Sequence, residues 1–144
     1  TAYYPMTHLI KYARGVSLIP VVECDTYDIP GYATSDFHQY GTHKDVPYIE
    51  TAAAFDKANG NLIIFVINRN WKEDIQLELD VRSFEGYKFE EQLQLYTDDL
   101  NAANSYEDSN VVIPSVCQTA KCENNKVSTT VKKLSWNVFR FCKE

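Results

Sequence analysis

The residues of this chain whose types could support catalysis are few and scattered. Acidic side chains fall in three adjacent pairs, Glu90-Glu91, Asp98-Asp99 and Glu107-Asp108. Retaining cleavage of a glycosidic bond needs two carboxyl groups roughly 5–5.5 Å apart across a sugar-sized gap, each on a rigid element. Neighbours on a strand point to opposite faces and neighbours in a loop are ordinarily solvated, so no catalytic residue is expected among these pairs. The three histidines, His8, His38 and His43, accompany no activated Ser or Cys of the nucleophile, base and orienter kind. His38 and His43 sit in an aromatic-rich loop, a place that mildly favours ligand contact, but a surface or hydrogen-bonded role is expected for each histidine.

Four cysteines, Cys24, Cys117, Cys122 and Cys142, could close two disulfides. They are sparse for a chain able to build its own core, and free thiols are expected. Cys117 and Cys122 are four residues apart with no His nearby in sequence, a looser spacing than a zinc knuckle, so neither a metal nor a cofactor is expected. Trp71 follows Asn68-Arg69-Asn70 at a strand end and is the one candidate sugar contact, as a stacking platform. The ordinary role of such a Trp is to cover the edge of a core. Trp136, in the alternating run Leu134–Phe139, is expected in the core itself.

The elements that position these side chains change character at Gly15. Before it, Met6, Leu9, Ile10 and Ala13 recur at helical spacing, with Pro5 in the first turn and Arg14 and Gly15 at the end, which predicts one short amphipathic helix. After it, Val16 to Val22 reads as an edge strand or bulge because of Pro20, and the polar stretch from Asp25 to Lys44 reads as an ordered loop. Tyr27, Tyr32, Phe37 and Tyr40 within that loop need cover.

Strands are predicted at Tyr48–Phe55, Leu62–Asn68, Ile75–Val81 and Tyr87–Tyr96, then Val111–Val116, Lys126–Val131 and Trp136–Cys142. Asn59-Gly60 supplies a tight hairpin turn between the first two, and Glu123–Lys126 a second turn. Ile75, Leu77, Leu79 and Val81 alternate with polar residues, whereas Leu62–Ile67 is apolar on both faces and belongs at the centre of a sheet. Seven or eight strands with short connections leave no room for crossover helices, so the expected fold is all-β and mainly antiparallel, a sandwich or small barrel.

A length of 144 residues suits one domain with a real core, and 13% aromatic residues lean it toward β structure. Fourteen basic against twenty acidic residues, a net charge of −6 with no basic run, argue against a nucleic-acid partner. No apolar run approaches the roughly 20 residues that span a bilayer. A soluble protein without a membrane partner is expected, with the cytoplasm as its location.

Several segments, in order, resemble the C-terminal region of glycoside hydrolase family 51 α-L-arabinofuranosidases. They are Tyr3-Tyr4-Pro5-Met6 with Tyr12-Ala13-Arg14-Gly15, Pro20-Val21-Val22, Tyr27-Asp28, Val46–Glu50, Ile64–Arg69, Asp99–Ser105 and Leu134–Val138. The resemblance covers nearly the whole chain and implies a jelly-roll-like sandwich over residues 16–144, preceded at 1–15 by the last helix of a catalytic (β/α)8 barrel. It also implies a parent enzyme that removes terminal arabinofuranosyl residues from arabinan or arabinoxylan oligosaccharides with retention. Both catalytic glutamates of that parent would lie upstream of Thr1, and no residue here matches their motifs. On this reading the chain is a structural domain that packs on the barrel, with a carbohydrate-binding module as the alternative and an independent enzyme as the weakest third. The helix, lacking its barrel, is expected to pair with another copy or a partner chain. The segment from Gly31 to Lys44 is longer than the family pattern.

Overall fold

The computed structural model describes residues 2–35 and 38–143. A single helix, α1 (Tyr3–Tyr12), opens the chain. It is followed by β1 (Val16–Leu18), β2 (Thr26–Ile29), β3 (Tyr32–Ser35), β4 (His38–Tyr40), β5 (His43–Pro47), β6 (Ile49–Asp56) and β7 (Asn61–Asn68). Then come β8 (Ile75–Asp80), β9 (Tyr87–Leu95), β10 (Ser115–Val116), β11 (Lys121–Glu123), β12 (Lys126–Val131) and β13 (Ser135–Lys143). A six-stranded sheet in the order β1-β6-β7-β13-β9-β10 faces a three-stranded sheet in the order β11-β12-β8, and every pairing is antiparallel. The fold is the antiparallel sandwich, not the barrel.

Period-two patterning explains the layers. In β8, Ile75, Leu77 and Leu79 turn inward, while Gln76 and Glu78 turn outward to meet Thr130 (2.7 Å) and Lys126 (2.7 Å) of β12. Val127 and Val131 of β12 meet Ile49, Leu62, Val66, Phe139 and Phe141 of the larger sheet in the main core. Phe139 and Phe141 are fully buried, and truncating either to Ala would cost about 3–5 kcal/mol. β7 is buried on both faces and lies between β6 and β13, as its continuous apolar run predicts.

The core also holds a polar network. Asn137 Oδ1 accepts hydrogen bonds from the Gln92 (3.0 Å) and Gln94 (2.9 Å) amides, and its Nδ2 donates to Ser135 Oγ (2.9 Å). Thr129 donates to Gln92 Oε1 (2.8 Å), which ties the two sheets together through side chains. Gln92, Asn137 and Asn68 have no exposed surface, and Asn68 donates to the Val131 carbonyl (3.2 Å). Such groups are tolerable inside only because they are paired.

Two turns follow the sequence closely. The β6–β7 connection places Gly60 in the left-handed region (φ +68°), while Asn59 acts through its amides, both donating to the Asp56 carboxylate (3.1 and 2.7 Å). Between β11 and β12, Asn124 and Asn125 are both left-handed (φ 51° and 58°), the pairing a two-residue hairpin requires. Gly15 (φ +84°) joins α1 to β1 so close to β6 that a Cβ would lie 2.7 Å from Asp56 Cα and collide with the Phe55 carbonyl oxygen.

Two expectations need correction. The stretch from Asp25 to Lys44 is not loop but two β-ribbons, β2 with β5 and β3 with β4, held by stacked rings: Tyr27 on Tyr48 and Tyr32 on Tyr40, both at 4.7 Å. Ring stacking, not apolar alternation, organises these ribbons, and Phe37 lies outside the described residues. Within Val111–Val116 only Ser115 and Val116 pair, and with β1, the four ribbon strands and β11 added, thirteen strands are present among the described residues rather than seven or eight. The helix α1 rests on the outer face of the larger sheet through His8, Leu9 and Tyr12, whereas Met6 and Ile10 are 57% and 65% exposed, so its apolar stripe meets the sandwich only in part. Tyr4, His8 and Tyr12, four residues apart, form a continuous row of rings, which presents a broader face to a sheet than the aliphatic stripe does.

Candidate functional site

On the outer face of the larger sheet the register between β9 and β13 slips at Arg140: Arg140 pairs with Glu91, and Phe141 with Phe89. The extra residue, Glu90, is a β-bulge, so Glu90 and Glu91 reach the same side instead of opposite ones. The expectation that adjacent carboxylates diverge on a strand therefore fails for this pair. Both nevertheless converge on one guanidinium, Glu91 on Arg140 Nη1 and Glu90 on Nη2 at 3.0 Å. Burial works against the Arg140 charge, but the Glu91 hydrogen bond and the Glu90 carboxylate outweigh it and raise Arg140 above its ordinary value. Tyr12 of α1 covers this guanidinium at 5.0 Å from the ring centroid. Two carboxylates clamped on a half-buried cation make an ion-pair cluster, with the cation and not a substrate-sized gap between them.

The neighbouring feature is the His8–Trp136 pair. Trp136 Nε1 donates to His8 Nδ1 (3.2 Å), and the imidazole lies between the Tyr4 and Tyr12 rings at 6.5 and 5.8 Å. Burial first, and then the Lys11 charge, lower the His8 pKa from 6.5. Trp136 is half-buried beneath the helix, against Phe65, rather than between the sheets. The four-residue spacing of Tyr4, His8 and Tyr12 is the sequence signal that could have located this pair.

The remaining candidates stay apart. His43 is exposed on β5, and the side chain of His38 lies outside the described residues. Asp98 accepts a hydrogen bond from the Tyr96 hydroxyl, Asp99 from the Asn101 amide (2.9 Å) and Asp108 from the Asn110 amide (3.1 Å), all of them turn-capping contacts. Cys24, Cys117, Cys122 and Cys142 carry free thiols. Burial alone would raise the Cys117 thiol, yet hydrogen bonds from Thr119 outweigh it and bring the pKa below its ordinary value. Cys142 is raised, chiefly by its hydrogen bond to Glu90 (2.9 Å). No cluster of three potential metal ligands occurs among the described residues.

Trp71 is 67% exposed on the turn after β7, with Lys72 Nζ 5.2 Å from its ring centroid. Asn70 stiffens that turn, its Oδ1 accepting from the Lys72 (2.9 Å) and Glu73 (3.1 Å) amides. Asn70 and Lys72 also border an open cleft of about 670 Å³, with Tyr48, Asp25 and Gln76. A larger groove of about 1290 Å³ runs between β8 and the segment after β1, floored by Leu18, Ala53, Ile64 and Leu77.

Together these features define a β-sandwich domain with a polar network inside and a helix seated on its outer sheet by an aromatic row and an ion-pair cluster. The family described as α-L-arabinofuranosidase C-terminal domain matches residues 1–135, and the chain belongs to it. An intracellular exo-α-(1→5)-L-arabinofuranosidase of Acetivibrio thermocellus is 32% identical over 143 residues, covering 99% of this chain and 26% of that protein. A protein of the same description from Bacillus subtilis is 32% identical over 142 residues, with 99% and 26% covered. Among solved structures, a family 51 α-L-arabinofuranosidase of Bifidobacterium longum superposes with a TM-score of 0.76 at 20% identity, covering 96% of this chain and 25% of that one. The chain thus spans about a quarter of the length of the curated relatives it matches. The resemblance to the family 51 C-terminal domain holds along the whole chain. Among the described residues no helix is long and apolar enough to cross a membrane.

Proposed function

We propose that this chain is the non-catalytic domain of an α-L-arabinofuranosidase and that it packs on and stabilises the catalytic barrel. One observation carries the reading. Seven of the sixteen exposed large hydrophobics among the described residues, Tyr3, Met6, Ile10, Val16, Ile19, Val21 and Val22, fall within the first 22 residues. Soluble domains rarely leave so much apolar side chain uncovered along one segment unless another surface meets it. Residues 1–15 would then be the last helix of the barrel, seated on the sandwich by His8, Leu9 and Tyr12 and offering Met6 and Ile10 to the barrel. The parent enzyme would be cytoplasmic and would release terminal arabinofuranosyl residues from arabinan or arabinoxylan oligosaccharides; the relatives' descriptions as intracellular exo-α-(1→5)-L-arabinofuranosidases support the location and the terminal arabinofuranosyl specificity.

Sedimentation at micromolar concentration tests the uncovered surface. The isolated chain is expected to self-associate, and a Met6→Glu/Ile10→Lys double variant to sediment as a monomer. A parent chain that is monomeric throughout, with these side chains protected from solvent, refutes the orphaned-helix reading.

Trp71 supports a second reading, a carbohydrate-binding module, because an exposed indole on a stiff turn beside a polar cleft suits stacking on a sugar ring. Retention of the chain on insoluble arabinoxylan, lost in Trp71→Ala, would favour the module. Passage of both proteins unretarded favours the structural domain.

A further inference from the structure

The seat of α1 contains one group whose protonation state the geometry dictates. His8 Nδ1 faces the Trp136 indole N–H at 3.2 Å, and an indole N–H only donates. His8 must therefore present a lone pair at Nδ1, which leaves its proton on Nε2. An imidazolium carries protons on both nitrogens, so it would set one N–H against another beneath a helix that buries the ring.

We propose that the His8–Trp136 hydrogen bond is a pH-sensitive latch that holds α1 on the sandwich while His8 is neutral and releases it when His8 gains a proton. Burial and a nearby positive charge favour the neutral form. On α1 itself, Lys11 supplies that charge, and the Tyr4 and Tyr12 rings flank the imidazole. From β13 come Trp136 and, across Tyr12, the Arg140 guanidinium; the Glu90 and Glu91 carboxylates of β9 are engaged with that guanidinium. From β7 and β9 the cluster under the helix receives Ile63, Phe65 and Leu93. No carboxylate among these contacts is free to stabilise an imidazolium.

The sign of the effect follows. The folded His8 pKa lies below the 6.5 of an unperturbed histidine, so the folded chain binds fewer protons than the unfolded one. The latch is fully closed above pH 6.5. It weakens as the pH falls below that value and is spent once the folded pKa is passed. His8 is no part of the main core between the two sheets, so the device acts on the helix seat and leaves the sandwich folded. In a longer protein the same protonation would loosen whatever the helix joins to the sandwich, a consequence that rests on the structural-domain reading, while the latch itself does not.

Trp136 reports on the latch directly in a Trp71→Phe background, where it is the sole tryptophan. Emission is measured from pH 8 to 4.5 at submicromolar concentration, with far-ultraviolet circular dichroism followed in parallel. The expected result is a red shift with a midpoint below 6.5 that precedes any loss of β signal. It should be absent when His8→Gln, which accepts the same bond without titrating, is added. A flat emission profile, a midpoint at or above 6.5, or the same transition in the Gln variant overturns the proposal. If the Gln variant does not fold, nitrogen-15 shifts of the parent His8 ring decide. The Nε2-protonated tautomer at pH 8 supports the latch, and the Nδ1-protonated tautomer refutes it.

Discussion

Replacing Asn137 with Ala removes the hub of the buried network. Asn137 Oδ1 is the acceptor for both the Gln92 and the Gln94 amides, and its Nδ2 is the donor to Ser135. Gln94 is half-buried and can turn to water, but Gln92 has no exposed surface, so its amide loses its acceptor inside the core. One stranded buried donor costs about 1–3 kcal/mol. The void left by the amide adds about 1 kcal/mol, giving a loss of about 2–4 kcal/mol. For a chain of this size each kcal/mol lowers the melting temperature by about 3 °C, which amounts to about 6–12 °C. Urea titration followed by circular dichroism and by tryptophan emission should show a lower midpoint with an unchanged m-value. Thr129→Val, which removes the donor to Gln92 Oε1, should lose about 1 kcal/mol. A loss below about 0.5 kcal/mol for Asn137→Ala would mean that water satisfies Gln92 and that the network is not dry.

Two further expectations follow from the surface chemistry. Asp80 is fully exposed, and hydrogen bonds from the Arg82 side chain and backbone lower its pKa from 3.8 to about 2. Its contribution to stability is therefore present above pH 4 and lost as the pH falls toward 2, so denaturation curves of Asp80→Asn should lie below the parent at pH 7 and converge with it at pH 2. Thiol titration without reductant should find four reactive cysteines after unfolding; in the folded chain, Cys117 should be modified at lower pH than Cys142, whose thiolate the Glu90 carboxylate opposes. Fewer than four thiols on unfolding would indicate a disulfide.

The parts of the fold that were legible in the sequence are those where one physical signal dominates. The alternation in Ile75–Val81, the two-faced apolar run of β7 and the Asn-rich turn at Asn124-Asn125 each place an element without reference to distant residues. The helix could be located, but the part that His8 and Tyr12 play beside Leu9 in its seat could not, because the apolar stripe marks only aliphatic positions. The β2–β5 and β3–β4 ribbons were hidden because Tyr-on-Tyr stacking between residues far apart in sequence, not alternation, holds them. The bulge at Glu90 was illegible for a similar reason: it depends on the register of β13 against β9, and only that register brings two adjacent carboxylates onto Arg140. The divergence expected of Glu90 and Glu91 rested on regular strand alternation, which the bulge interrupts.

The most direct test of a non-catalytic role is turnover of an aryl α-L-arabinofuranoside by the purified chain, with expression and purification arranged to exclude any full-length arabinofuranosidase. No release above the blank is expected at any enzyme concentration, because the Glu90 and Glu91 carboxylates converge on Arg140 rather than stand across a substrate gap. Release that scales with the amount of chain and disappears in Glu90→Gln or Glu91→Gln would contradict it.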